Sequence, residues 1–64
     1  MKNLAEIERG TVTTTEGGYR VASMDRPGIV TPPISAIGDK TYSTGDSVYF
    51  FLFPDGNGKI ISKM

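Results

Sequence analysis

Apolar and polar residues alternate along most of this chain, and at 48–53 the alternation gives way to an unbroken apolar run, Val48-Tyr49-Phe50-Phe51-Leu52-Phe53. A run this short, rich in aromatic and β-branched side chains, reads as a strand. The Gly-rich stretch Asp55-Gly56-Asn57-Gly58 and a second apolar run, Ile60-Ile61, follow it. Together they predict a hairpin with its turn at 55–58 and a return strand over 59–64. Successive side chains of a strand point to opposite faces, so Val48, Phe50 and Leu52 share one face and Tyr49, Phe51 and Phe53 the other.

The preceding residues give shorter elements. Leu4 and Ile7 are three apart among charges, enough for one or two helical turns and too few for a stable helix, so 1–8 is expected to be an arm or a short helical lead-in. Gly10-Thr11-Val12-Thr13-Thr14-Thr15 is β-branched and predicts a strand. After the break at Gly17-Gly18, Tyr19-Arg20-Val21-Ala22-Ser23-Met24 alternates with period two, which predicts a first hairpin. Asp25-Arg26-Pro27-Gly28 is a turn, in which Pro27 presets φ at the second position and Gly28 supplies a positive φ at the third. A third strand should start at Ile29. Pro32-Pro33 deprives it of two backbone donors, so it is an edge or it bends there, with pairing resuming over 34–37. The polar stretch 38–45 is a connection with room for one turn of helix.

No stretch sustains helical periodicity, nothing repeats and no linker divides the chain. The expected fold is therefore all-β: a single small domain over 1–64, five short strands forming a strongly bent antiparallel barrel of the OB-like or SH3-like kind.

Composition narrows the possible uses. A chain of 64 residues buries only about 60% of the surface it exposes when unfolded, so its stability is modest. It has neither Cys nor His, which removes disulfides and a zinc site and leaves oligomerisation as the remaining stabilising device. The seven basic and seven acidic side chains cancel, so no net field steers the chain to nucleic acid or to an anionic membrane. Neither a membrane-length apolar run nor a signal-peptide core is present, and the expected location is cytoplasmic or within a virion-like assembly.

Candidate chemistry is sparse. Without His or Cys the usual general base and the best nucleophile are missing. Asp25, Asp39, Asp46 and Asp55 each sit in a turn or at a strand start, and turn formation accounts for them. Asp55-Gly56-Asn57-Gly58 places oxygen ligands two apart but lacks the twelve-residue loop and the distal Glu of a calcium site. Gly17-Gly18 and Gly56-x-Gly58 precede no helix that would receive a phosphate. The expectation is a protein that is not an enzyme, with no cofactor, no metal and no small-molecule substrate.

Two binding surfaces are candidates. Only one face of 48–53 fits inside a small barrel; with Val48, Phe50 and Leu52 inside, Tyr49, Phe51 and Phe53 form an outer aromatic row, open to a protein partner or another copy unless the arm with Leu4 and Ile7 covers it. The alternative is a single-stranded nucleic-acid platform, in which Tyr19 and Tyr42 stack bases beside Arg20 and Lys40. The neutral balance, with Glu16, Asp39 and Asp46 close by, weighs against that alternative.

Gly10-x-Val12, Tyr19-x-Val21, Gly45-Asp46-x-Val48-x-Phe50 and Ile60-Ile61 resemble the OB-like small barrels of phage and prophage tail or baseplate proteins, over about residues 9 to 63. The resemblance implies a structural part that oligomerises or plugs into an assembly and catalyses nothing. Fold likeness alone does not assign that use.

Overall fold

Alternation builds the first sheet pair. In the computed structural model, which describes residues 6–38 and 40–64, β1 (Glu8–Thr14) runs antiparallel to β2 (Arg20–Ser23), with Gly10 opposite Ser23 and Val12 opposite Val21. Glu8, Gly10 and Val12 of β1, with Val21 and Ser23 of β2, point inward. A register shift between Val12 and Thr14 bends the pair near its turn, where Gly17 and Gly18 take the positive φ angles, 69° and 123°, that other residues rarely adopt. The strand starts at Glu8, two residues before the expected Gly10. Of the expected arm, 1–5 lie outside the described residues, and Glu6 and Ile7 are exposed and extend into β1 without a helix.

The other edge of β1 carries β4 (Ser47–Leu52), antiparallel, with Gly10 opposite Val48 and Glu8 opposite Phe50. β4 in turn pairs with β5 (Gly58–Lys63), Phe50 opposite Ile60 and Phe51 opposite Lys59. The hairpin turn sits slightly earlier than 55–58. Gly56 N donates to Phe53 O (3.0 Å) and Phe53 N donates to Asn57 O (2.6 Å), with Gly56 at φ 93°. This is a turn centred on Pro54-Asp55 followed by a glycine bulge; Pro54, ignored when Gly residues alone mark the turn, fixes φ at its first central position.

The segment after β2 shows why Pro32-Pro33 matters. Arg26-Pro27-Gly28-Ile29 makes the expected turn, Ile29 N donating to Arg26 O (3.1 Å) with Gly28 at φ 87°. Residues 29–34 then run back along β2: Ser23 N donates to Ile29 O, Thr31 N to Val21 O, and Tyr19 and Ile34 exchange two bonds of 2.8 and 2.9 Å. Where the prolines twist the backbone out of register, the Thr31 hydroxyl takes the place of a carbonyl and accepts from Val21 N at 3.0 Å. Thr31 is fully buried because its side chain completes the ladder.

Beyond the bend, β3 (Ser35–Ala36) pairs with β5, Ser35 opposite Lys59 and Ala36 opposite Ile60. This pair is parallel, a departure from the all-antiparallel expectation that follows from the chain bending at Pro32-Pro33 and crossing to the far side of β5. The five strands form one strongly curled sheet in the order β2-β1-β4-β5-β3, and the isolated bridges Tyr19–Ile34 and Ala22–Val30 join its two ends. The result is a small, partly open barrel whose ring runs β1-β2-β3-β5-β4, the OB-like connectivity of the two expected.

The core is Val12, Val21, Ile34, Tyr42, Val48, Phe50 and Ile60. Gly10 makes room for it: a Cβ there would stand 2.8 Å from the Phe50 ring and 2.5 Å from Val21 Cγ1. The connection 37–46 contains no helix among its described residues; instead it sends Tyr42 into the core and adds Val12 N→Asp46 O and Gly45 N→Val12 O bonds to the β1–β4 seam.

Candidate interaction face

Inward alternation on β4 puts Val48 and Phe50 at no exposure and packs Leu52 against the core. The complementary set therefore faces outward. Tyr49 is 38% exposed, flanked by Arg9 on β1 and Ser62 on β5. Phe53, just past the strand end, is also 38% exposed, while Phe51 is half-buried. The Phe51 and Phe53 rings meet edge to face, centroids 5.5 Å apart at 74°, the arrangement aromatic quadrupoles favour. No such contact joins Tyr49 to them, so the row divides into a ring pair and a separate tyrosine.

The ring pair borders a groove of about 400 Å³ between the β4–β5 hairpin and β3, with Pro33, Ser35, Lys59 and Asn57 on its other sides. Lys59 Nζ donates to Ser35 Oγ at 2.7 Å across it. Both side chains are exposed, and the pair spans the groove at its surface.

Charged residues gather at the end of the barrel beside this face. Glu8, inward-facing and buried, accepts from Ser23 Oγ (2.8 Å) and from Nε and Nη2 of Arg26 (3.0 and 2.8 Å). The same Ser23 Oγ accepts from Asp25 N and Arg26 N, so one serine ties the β2–β3 turn to β1. Glu8 holds the Arg26 guanidinium above its ordinary pKa by hydrogen bond and by charge. Arg9 clamps Asp25 with its backbone N (2.9 Å) and Nη2 (2.6 Å) and holds that carboxyl below the ordinary aspartate range, first through the side-chain bond and then through the backbone one. A wider groove of about 890 Å³ opens here, with Ile7, Ile29, Leu52 and Phe53 as its apolar lining and Glu8 and Arg26 on its polar side.

Glu8, Ser23 and Thr31 are structural residues that the sequence reading passed over. Continuing the period-two register backward from Val12 places Gly10 and then Glu8 inside, and continuing it forward from Val21 places Ser23 inside; that signal was available. Nothing in the local pattern marks Thr31, whose role depends on where Pro32-Pro33 throws the backbone.

The alternative platform does not assemble at the surface. Tyr42 is a core residue, and Tyr19, partly buried, packs on it edge to face at 5.6 Å and accepts from Tyr42 N at 3.2 Å. Both tyrosines are thus used in packing, while Arg20 spends its Nε on Thr31 O (3.1 Å) and Lys40 is exposed. Among the described residues no group of acidic side chains is placed to hold a metal ion, and no helix is long and apolar enough to cross a membrane.

No family model, curated protein or solved structure matches the chain.

Proposed function

We propose that this barrel is a non-enzymatic structural or protein-interaction module that associates through the outer face of β4, with Tyr49, Phe51 and Phe53 as contact residues and a second copy of the chain as the first partner to test. The observation that carries this reading is the aromatic surface that stands exposed, among the described residues, on the strand whose other face is the best-buried part of the core. Aromatic side chains are enriched in the centres of protein interfaces because they bury a large area at small entropic cost. The groove beside Phe51 and Phe53 adds concavity to that surface. On the resemblance of the Gly45-Asp46-x-Val48-x-Phe50 stretch, the assembly in view is a phage or prophage tail structure.

Light scattering after size exclusion at micromolar protein tests the proposal: an oligomer is expected, and a strict monomer at every accessible concentration overturns self-association. Phe51→Ser separates interface from core. It is expected to shift the oligomer to monomer while the strand content by circular dichroism persists; a variant that unfolds instead makes Phe51 a core residue.

A further inference from the structure

The chain has two asparagines, Asn3 and Asn57, and Asn57 is followed by Gly58. An asparagine side chain is attacked at Cγ by the backbone nitrogen of the next residue, and a glycine there presents that nitrogen without a Cβ to shield it. Asn57 is exposed at the end of the β4–β5 turn. Phe53 N donates to Asn57 O, so the next pair along the ladder, Leu52 and Gly58, is of the non-hydrogen-bonded kind and the Gly58 amide lies outside the β4 ladder. Asp55-Gly56, which invites the same attack, differs: the Gly56 amide is committed to Phe53 O at 3.0 Å. Gly58 is also irreplaceable, because a Cβ there would collide with the Phe51 carbonyl.

We propose that Asn57 is a site of spontaneous deamidation and that its conversion remodels the groove beside Phe51 and Phe53. Hydroxide takes the Gly58 amide proton, and the nitrogen then forms a bond to Asn57 Cγ. The Cγ–Nδ2 bond breaks, and the side-chain nitrogen leaves as ammonia after taking a proton from water. The five-membered succinimide that results is opened by water at either carbonyl, giving aspartate or isoaspartate at position 57. No oxidant, metal or enzyme is required.

Either product changes the hairpin. Asn57 Nδ2 now donates to Asp55 Oδ2 at 3.0 Å; a carboxylate in its place faces the Asp55 carboxylate as a like charge. Isoaspartate does more, because it routes the main chain through the side-chain methylene. The extra atom falls beside Gly58, where there is no room for even a Cβ next to Phe51 O, and next to the Phe53 N→Asn57 O bond that fixes the bulge. Asn57 and Gly58 both line the groove, so the change acts on the face assigned above to association. The modification itself does not rest on that assignment.

Incubating the folded chain at pH 5 and at pH 9, followed by peptide mapping and isoaspartate-specific methyl labelling, tests this. Expected are conversion at 57, faster at the higher pH, with two products resolved there, Asn3 retained over the same period, and no isoaspartate labelling at that position in Asn57→Gln. An Asn57 amide that stays intact while a free peptide spanning 53–61 is fully converted overturns the proposal. Light scattering of the aged protein and of Asn57→Asp then reads the consequence. Loss of association in the aged sample beyond that in Asn57→Asp assigns the effect to the inserted backbone atom. Unchanged association in both refutes the remodelling of the groove while leaving the proposed contact face untouched.

Discussion

The two faces of β4 are made of similar residues and have opposite fates. Val48 and Phe50 are wholly buried, whereas Tyr49 and Phe53, on positions shifted by one, are more than a third exposed. Hydrophobicity by itself does not separate them, since Phe53 is as apolar as Phe50. What separates them is the side of the curled sheet each one faces. Phe50 points inward with Gly10 close beneath its ring, although a charged residue, Glu8, is its partner on β1, while Tyr49 points outward between Arg9 and Ser62. A barrel this small has one interior, and the strand that contributes most to it has apolar side chains left over.

The sharpest way to break the comparison is Phe50→Ala. It should cost about 3–5 kcal/mol as a buried aromatic truncation, enough to unfold much of a domain of this size, read by urea denaturation. Next is Gly10→Ala, which fills the space under the Phe50 ring and meets the Ala22 carbonyl at 2.8 Å. A loss of about 1–3 kcal/mol is expected, and a neutral result would show that the ring has room to move. On the outer face, Tyr49→Ser should change monomer stability by no more than about 0.5 kcal/mol while lowering the oligomer fraction in light scattering. If it destabilises as Phe50→Ala does, the two faces are not distinct.

The smallest effect belongs to the ion pair flanking Tyr49. The Arg9 clamp depresses the folded-state pKa of Asp25 below its unfolded value of about 3.9. Its contribution is therefore present in full above that value and is lost as pH falls through the lower, folded one. Asp25→Asn should narrow the stability difference between neutral and strongly acid solution, measured by denaturation at both; an unchanged difference would mean the exposed pair contributes nothing.

Much of this architecture was legible in the residues. Period-two alternation located the first hairpin, and Pro27-Gly28 located the turn after it with the right residue at each position. The unbroken run at 48–53 pointed to the central strand and to its inner set. The parts that were not legible share a cause: they depend on contacts between distant segments. The parallel pairing of β3 with β5 follows from where the chain goes after Pro32-Pro33, and local propensity carries no record of direction. Tyr42 lies in a polar stretch and looked like a surface ring because its burial is provided by Tyr19, twenty-three residues earlier. The same blindness applies to the candidate face. Alternation names Tyr49, Phe51 and Phe53 as a set, but only the packed hairpin shows that two of them pair with each other and border a groove, leaving the third beside an arginine.

The junction at Thr31 has a consequence for how the protein behaves in a crowded solution. Two isolated bridges, four backbone hydrogen bonds and one side-chain hydroxyl hold the ends of the curled sheet together there, against the longer β1–β4 and β4–β5 ladders. Amide exchange along this line should be faster than along those two ladders. When the seam parts, however, one of the two lips it exposes contains Pro32-Pro33, which has no amide hydrogens to offer and so cannot template an incoming strand at those positions. An opening at this seam therefore exposes an edge poorly able to recruit a neighbour.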